Sequence, residues 1–322
     1  MNASVRVSGV GIACSSGAGA GEPDELAGRL RGALSALARG GGPVRLVHGI
    51  EDVAIVAAYE ALSQAGTRVP LGEERVGIAL GVEEGIDSIK ADYFRNVLRD
   101  GPLGASPLAF PLTAPNTIAA RISILMDLRG ENHTVCGGSL SGAKAVGLAL
   151  ESLRAGRSPA MLVGGVTSVS QESLDALSSA GWPAEGRPGC GACFLLLESQ
   201  TATGEDGRVG QLLGYAEGFG ADEVGDAVCG CLEDAGLSAG QIDSVRLMSV
   251  GDRRPLLVAL RRMGVSASIH RSPSSEMYSA AFPLAMAEAI GPAARRAQGP
   301  VLIVGTDCLA GAAAALVRGG GA

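Results

Sequence analysis

Aromatic side chains are scarce in this chain of 322 residues: phenylalanine, tyrosine and tryptophan together account for 3% of it. A hydrophobic core therefore has to be built from small and branched aliphatic side chains on closely packed backbones. The composition supplies these, with 47% hydrophobic residues and 49 glycines. A chain of this length is long enough for one large domain or two intimate halves.

Long apolar runs are also missing. No stretch approaches the roughly 18 apolar residues of a membrane span, and the first residues, MNASVRVSGVGIACSS, lack a basic leader followed by a long apolar segment. We expect no signal peptide and no membrane partner. Seven cysteines, an odd number, fit a reducing compartment better than a disulfide framework. The chain is predicted to be cytoplasmic.

Metal-binding and nucleic-acid-binding patterns are absent from the sequence. Cys190 and Cys193 have CxxC spacing, but no second Cys or His pair at zinc spacing accompanies them. We expect no metal and no cofactor. The net charge of −7, without a basic patch interleaved with aromatics, argues against nucleic acid. An acidic carrier protein would need a local basic spot, for which the candidates are Arg253/Arg254, Arg261/Arg262 and Arg295/Arg296.

The most informative stretch is Asn132–Ser152, NHTVCGGSLSGAKAVGLALES. It predicts a short strand ending at Cys136, a tight elbow, and an amphipathic helix with apolar residues at helical spacing. Gly137 and Gly138 would give the elbow its backbone freedom, and Ser139 is the expected N-cap. Backbone N–H groups at a helix start favour a thiolate, so Cys136 is a candidate nucleophile or its relic. The alternative is ordinary packing, because cysteine is among the most buried residue types.

The order of predicted elements repeats. A strand, a helix ending in Ala-Gly, a buried strand, a second helix and a further strand occur in the first half and again after residue 208. This indicates a duplicated α/β unit with helices between two sheets. The polar segment Thr201–Gly207 is the expected boundary, giving halves at residues 1–200 and 207–322.

Four segments of the sequence are VSGVGIACSSG, EDVAIVAAYEALSQAG, ERVGIALG and residues 105–165. They resemble segments of thiolase-fold proteins, and specifically of the β-ketoacyl synthases of fatty acid and polyketide biosynthesis, with residues 105–165 the strongest match. The resemblance implies a layered α-β-α-β-α arrangement and places Cys136 on the family's acyl-accepting cysteine. The chain is shorter than a full ketosynthase, with deletions expected between Leu177 and Gly191 and around the second-half active-site loops.

The sequence departs from the family at its two histidines, which activate decarboxylation and hold the enolate oxygen. The first belongs to a His-Gly-Thr-Gly-Thr string, where this chain has SVGDRRP at Ser249–Pro255. The second position falls on Glu276, with Arg271 in place of the family's lysine. An ionised carboxylate would repel the enolate oxygen rather than donate to it. Of the three histidines present, we expect His270 to lie in a loop and His133 to be structural, and His48 has no apparent partner.

The resemblance therefore implies a non-condensing subunit, a chain length factor, that forms a heterodimer with an active ketosynthase in type II polyketide or polyene biosynthesis. It would meet an acyl carrier protein through that partner and shape the acyl tunnel. The expected interface is 116–135, and the possible tunnel plugs are Phe110, Tyr278 and Phe282. The candidate tunnel-lining residues are Phe110, Leu112, Ile118, Ile122 and Met126, each of which could equally be an ordinary core position.

Two other functions stay open. Retention of Cys136 favours a stand-alone acyltransferase or thioesterase-like enzyme that forms an acyl-enzyme. A thiolase relative acting on acyl-coenzyme A is less favoured, because the match around Cys136 is to synthases that use carrier proteins.

Overall fold

The computed structural model describes residues 4–14, 23–38, 49–67, 75–83, 87–168, 170–179, 190–199, 209–249, 254–271, 278–291, 299–307 and 311–320. Within them, ten strands form one mixed sheet. The strands are β1 (Val5–Cys14), β2 (Val76–Glu83), β3 (Asn132–Val135), β4 (Ala160–Thr167), β5 (Gly191–Glu198), β6 (Gly210–Phe219), β7 (Ser244–Ser249), β8 (Ser268–Arg271), β9 (Val301–Thr306) and β10 (Gly311–Gly319).

The described helices lie between these strands along the chain. They are α1 (Pro23–Ala38), α2 (Ile50–Gln64), α3 (Asp87–Asp100), α4 (Thr117–Met126), α5 (Ser141–Arg154), α6 (Gln171–Ser179), α7 (Glu223–Ala235), α8 (Arg254–Arg262) and α9 (Tyr278–Ile290). Short 3₁₀ turns occur at Gly101–Gly104, Phe110–Thr113 and Ala239–Gln241. None of the helices in the described part of the chain has both the length and the apolar character needed to cross a bilayer.

The sheet has a mirror order that reveals the duplication. Its strands run β3-β2-β4-β5-β1-β6-β10-β9-β7-β8, so the second five repeat the first five in reverse. Val5–Val7 of β1 pair antiparallel with Gly210–Leu212 of β6. This pairing joins the two predicted sheets into one continuous sheet. The duplicated α/β arrangement is confirmed, and its two halves are hydrogen-bonded neighbours.

Among the described residues, three hydrophobic clusters define the layers. One lies between α2, α4 and the first half of the sheet, and a second lies between α7, α8 and the other half. The third surrounds α5 and α9 and takes residues from strands of both halves. The two central helices are therefore covered on both sides, which gives the predicted α-β-α-β-α layering.

Glycine makes the close packing of the central helices possible. A Cβ at Gly142 on α5 or at Gly165 on β4 would lie 1.9 Å from the carbonyl oxygen of Ser279 on α9. A Cβ at Gly81 on β2 would lie 2.3 Å from the backbone nitrogen of Gly142. Backbone thus meets backbone where side chains would otherwise separate the layers.

Some elements differ from the sequence-based expectation. Neither β8 nor β10 was predicted, and His270, expected in a loop, lies within β8. The sequence of β10, GAAAALVRG, is poor in the β-branched and aromatic residues typical of strands. It is nevertheless paired on both sides, with β6 and β9, so tertiary context overrides propensity. The expected boundary at Thr201–Gly207 lies outside the described residues.

Candidate functional site

The elbow between β3 and α5 is built as the sequence predicts. The strand ends at Val135, Cys136 follows with an exposed side chain, and the helix begins at Ser141. Gly138 has a φ of 77°, which glycine adopts without a steric penalty. The exposed thiol therefore lies at the end of an edge strand, five residues before the helix starts.

Ser141, rather than Ser139, holds the elbow together. The backbone N–H of Gly137 donates to the Ser141 hydroxyl oxygen at 2.9 Å, and that hydroxyl donates to the carbonyl oxygen of Gly138 at 2.6 Å. The N-cap position belongs to Leu140, and no side chain caps the helix. The expectation of a Ser139 cap is therefore wrong: the chain turns into the helix one residue later than the pattern suggested.

Lys144 and Phe219 are neighbours of the elbow that the sequence reasoning missed. The Lys144 ammonium donates to the carbonyl oxygen of Gly137 at 3.2 Å and lies 6.0 Å from the centroid of the Phe219 ring. Lysine in an amphipathic helix is usually read as part of its solvated face. Phe219 ends β6, in the other half of the chain, so no local signal could have paired the two residues.

The two histidines within the described residues each have a polar side chain as hydrogen-bonding neighbour. The ring of His133 on β3 lies 3.5 Å from a carboxylate oxygen of Glu131. His270 is exposed, 3.2 Å from the Ser268 hydroxyl, on the strand at the opposite edge of the sheet from β3. His48 lies outside the described residues.

The positions expected to replace the family's two histidines and its lysine are only partly described. Ser249 is the last residue of β7, and Arg271 is the last residue of β8. These two strands are hydrogen-bonded neighbours. Glu276 lies outside the described residues, so its assigned role stays a prediction.

The five candidate tunnel residues do not share one surface of this chain. Ile118, Ile122 and Met126 are fully buried on α4, in the cluster that faces α2 and the sheet. Phe110 is 60% exposed and Leu112 is half-buried, both in the 3₁₀ turn that precedes α4. Their tunnel-lining role stays a prediction. Of the residues suggested as tunnel plugs, Phe282 is buried in the hydrophobic cluster that surrounds α5 and α9.

Exposed apolar side chains lie on α3, on α4 and in the segment between these helices. We define the α3–α4 surface as the exposed side chains of Phe94, Leu98, Leu103, Leu108, Phe110 and Ile124. The Tyr93 ring bridges part of it, with its centroid 5.6 Å from that of Phe94 and 5.9 Å from that of Phe110. The Asn132 amide donates to the Ser123 hydroxyl at 2.9 Å, which ties β3 to α4. The helix that carries Ile124 is therefore attached to the edge strand that leads to Cys136.

Burial distinguishes accessible from inaccessible cysteine thiols. Desolvation raises the pKa of the Cys231 thiol, with the nearby Asp234 carboxylate adding to the shift, and raises that of the fully buried Cys193 thiol. Cys136 and Cys229 are exposed. A nucleophilic thiolate has to be reached by its substrate. Cys136 meets this requirement, because its side chain is exposed at the elbow. Across the described ranges, no three His, Cys, Asp or Glu side chains are arranged to hold a metal ion.

Comparison with known proteins agrees with this geometry. Residues 47–193 match the family model of the beta-ketoacyl synthase N-terminal domain. A nodulation protein E from Rhizobium leguminosarum bv. trifolii is 35% identical over 115 residues, which cover 35% of this chain and 28% of that protein. Alignments with two nodulation E proteins span from 28% to 57% of their own lengths.

Solved structures share the fold over the whole chain. The ishigamide ketosynthase/chain length factor has a TM-score of 0.79 at 18% identity, with 100% of both chains covered. A type II polyketide synthase acyl-carrier protein in complex with its ketosynthase bound to the hexaketide gives 0.75 at 16% identity, covering 99% of this chain and 100% of the other. Residues 47–193 are therefore similar to the beta-ketoacyl synthase N-terminal domain, and the whole chain shares the thiolase-like fold of solved ketosynthase structures.

Proposed function

We propose that this chain is a non-condensing ketosynthase-like subunit, a chain length factor, that pairs with an active ketosynthase in type II polyketide or polyene biosynthesis. In this role it completes the dimer and shapes the acyl tunnel. The acyl carrier protein docks on the pair through the active partner. The chain itself adds no carbon–carbon bond.

The observation that carries the proposal is that the sequence has no histidine at either position of the family's catalytic pair. Ketosynthase chemistry needs donors that hold a developing enolate oxygen, and loss of one such donor costs about a hundredfold or more in rate. The sequence has three histidines. His133 lies beside Glu131 and His270 beside Ser268, and neither is at a position of the family's catalytic pair, which supports a thiol site without its condensing partners.

The second support is the α3–α4 surface. Monomeric soluble proteins rarely leave large apolar patches uncovered, and such patches mark interaction sites. Leu103 is 96% exposed and Ile124 is 79% exposed. The adjacent strand β3 pairs with β2 and, among the described strands, with no other. Its outer edge therefore offers backbone groups to a partner strand.

Co-expression with an active type II ketosynthase from the same organism tests the proposal. We expect a stable heterodimer, and we expect Ile124→Glu to abolish co-purification because it places a charge in the covered apolar surface. Val258→Glu is the matched control: Val258 is also an exposed apolar residue, 45% exposed, but it lies on α8. A chain that purifies as a stable homodimer and never associates with the ketosynthase refutes the proposal.

A second candidate function rests on the exposure of Cys136. The thiolate would attack the carbonyl carbon of a carrier-bound thioester, forming a new carbon–sulfur bond while the bond to the carrier sulfur breaks. The carrier thiolate would leave and take up a proton. Mass spectrometry of the isolated chain after incubation with acyl-carrier substrates tests this.

An acyl adduct on Cys136 that disappears in Cys136→Ala supports an acyltransferase. An unlabelled chain contradicts it. An adduct on Ser139 would move the acyl acceptor three residues closer to α5 and would leave Cys136 without a covalent role.

A further inference from the structure

Lys144 lies at a junction between the two halves of the chain. Its ammonium donates to the carbonyl oxygen of Gly137, the residue directly after Cys136, at 3.2 Å. The same ammonium lies 6.0 Å from the centroid of the Phe219 ring, at the end of β6. A lysine on a helix normally extends into water, so these two contacts hold a positive charge back over the elbow.

The peptide groups around Gly137 are fixed from both sides by α5. The N–H of Gly137 donates to the Ser141 hydroxyl oxygen at 2.9 Å, and its carbonyl accepts from Lys144. A Cβ at residue 137 would lie 3.3 Å from the lysine nitrogen, so glycine leaves room for the ammonium. The orientation of the backbone that follows Cys136 therefore depends on both Ser141 and Lys144.

The start of α5 adds to the positive charge at the elbow. No described side chain caps the helix, so its first backbone N–H groups contribute partial positive charge there. The carboxylate of Glu217 on β6 lies one turn further along α5, beside Gly147. It accepts a hydrogen bond from the Tyr215 hydroxyl at 2.8 Å.

We propose that Lys144 is a positioning residue that makes the elbow an anion-accepting site, with Phe219 of the second half keeping its ammonium in place. The matching ligands are acyl groups that carry a carboxylate, and the oxyanion formed when a thiol attacks a thioester. The inference rests on the proposal that the elbow receives acyl groups.

Charge-selective alkylation of Cys136 tests it on the isolated chain. Iodoacetate and iodoacetamide react with the same thiolate but differ in charge, so the ratio of their rates reports the local field rather than exposure. Peptide mass spectrometry at low ionic strength gives this ratio separately for Cys136 and for Cys229, an exposed cysteine on α7 that serves as an internal control.

We expect Lys144→Met to lower the iodoacetate-to-iodoacetamide ratio at Cys136 about threefold, the effect of removing one unit charge several ångströms away in a water-like dielectric. Lys144→Arg, which keeps the charge and can stack on Phe219, should preserve the ratio. Neither variant should change the ratio at Cys229.

An unchanged ratio in Lys144→Met, or an equal loss in Lys144→Arg, overturns the proposal. If Lys144→Met does not fold, Phe219→Leu supplies the test, because it releases the ammonium from the ring and should lower the ratio in the same direction. No ketosynthase partner or carrier is present in this assay. Failure here is therefore distinguishable from failure of the heterodimer proposal.

Discussion

Replacing Gly142 by alanine should destabilise the chain although alanine is the better helix former. The new Cβ would lie 1.9 Å from the carbonyl oxygen of Ser279 and 2.9 Å from Cδ of Pro283. Carbon–oxygen contacts normally begin near about 3.3 Å, so α5 and α9 would have to separate by roughly 1.4 Å. The Ser279 carbonyl also lies against Gly165, which leaves α9 little freedom to shift.

Overpacking of this kind costs about 1–3 kcal/mol, and contact with rigid backbone puts Gly142→Ala at the upper end. The propensity gain of alanine offsets about 1 kcal/mol, so we expect a net loss of about 2 kcal/mol. Urea unfolding followed by circular dichroism measures it as a lower midpoint with an unchanged slope. Gly28→Ala on α1 is the control of opposite sign: a Cβ there meets nothing within 4 Å, and the substitution should stabilise by about 0.5–1 kcal/mol. A Gly142→Ala midpoint at or above that of the wild type refutes the packing argument.

Three further predictions concern the core, the edge strand and the thiols. Ile122→Ala should lower the free energy of unfolding, measured with urea, by about 2–5 kcal/mol, because the side chain is fully buried. Ile124→Ala, on the exposed side of the same helix, should change it by less than about 0.5 kcal/mol. The hydrogen bond from Ser152 lowers the pKa of Glu131, with smaller contributions from neighbouring His and Arg side chains. The ionised Glu131 carboxylate therefore stabilises the fold above the pKa that it has in the unfolded chain, and this stabilisation is lost as pH falls through its pKa in the folded chain. The stability of Glu131→Gln should therefore decline less steeply than that of the wild type below about pH 4.5, and identical acid profiles would contradict this. Burial raises the pKa of Cys231, so iodoacetamide should leave it unmodified until urea is added, and native labelling seen by mass spectrometry would show that α7 opens.

The sequence was most informative where local patterns have one structural meaning. The strand, elbow and helix around Cys136 were predicted from apolar spacing and the glycine pair, and β3 and α5 follow within a residue. The repeated element order predicted the duplication that the strand order of the sheet confirms. Buried strands such as β4 have continuous apolar runs that leave little choice of interpretation.

Local patterns failed where partners come from distant parts of the chain. The alanine-rich β10 is a strand because β6 and β9 hydrogen-bond to its two edges. The contact of Lys144 with Phe219 joins residues from opposite halves. The sequence by itself determined the periodicities, the elbow and the shortage of histidine. Which side chains surround the elbow was decided by packing between the two halves, because residues far apart in the chain become neighbours only when the layers assemble.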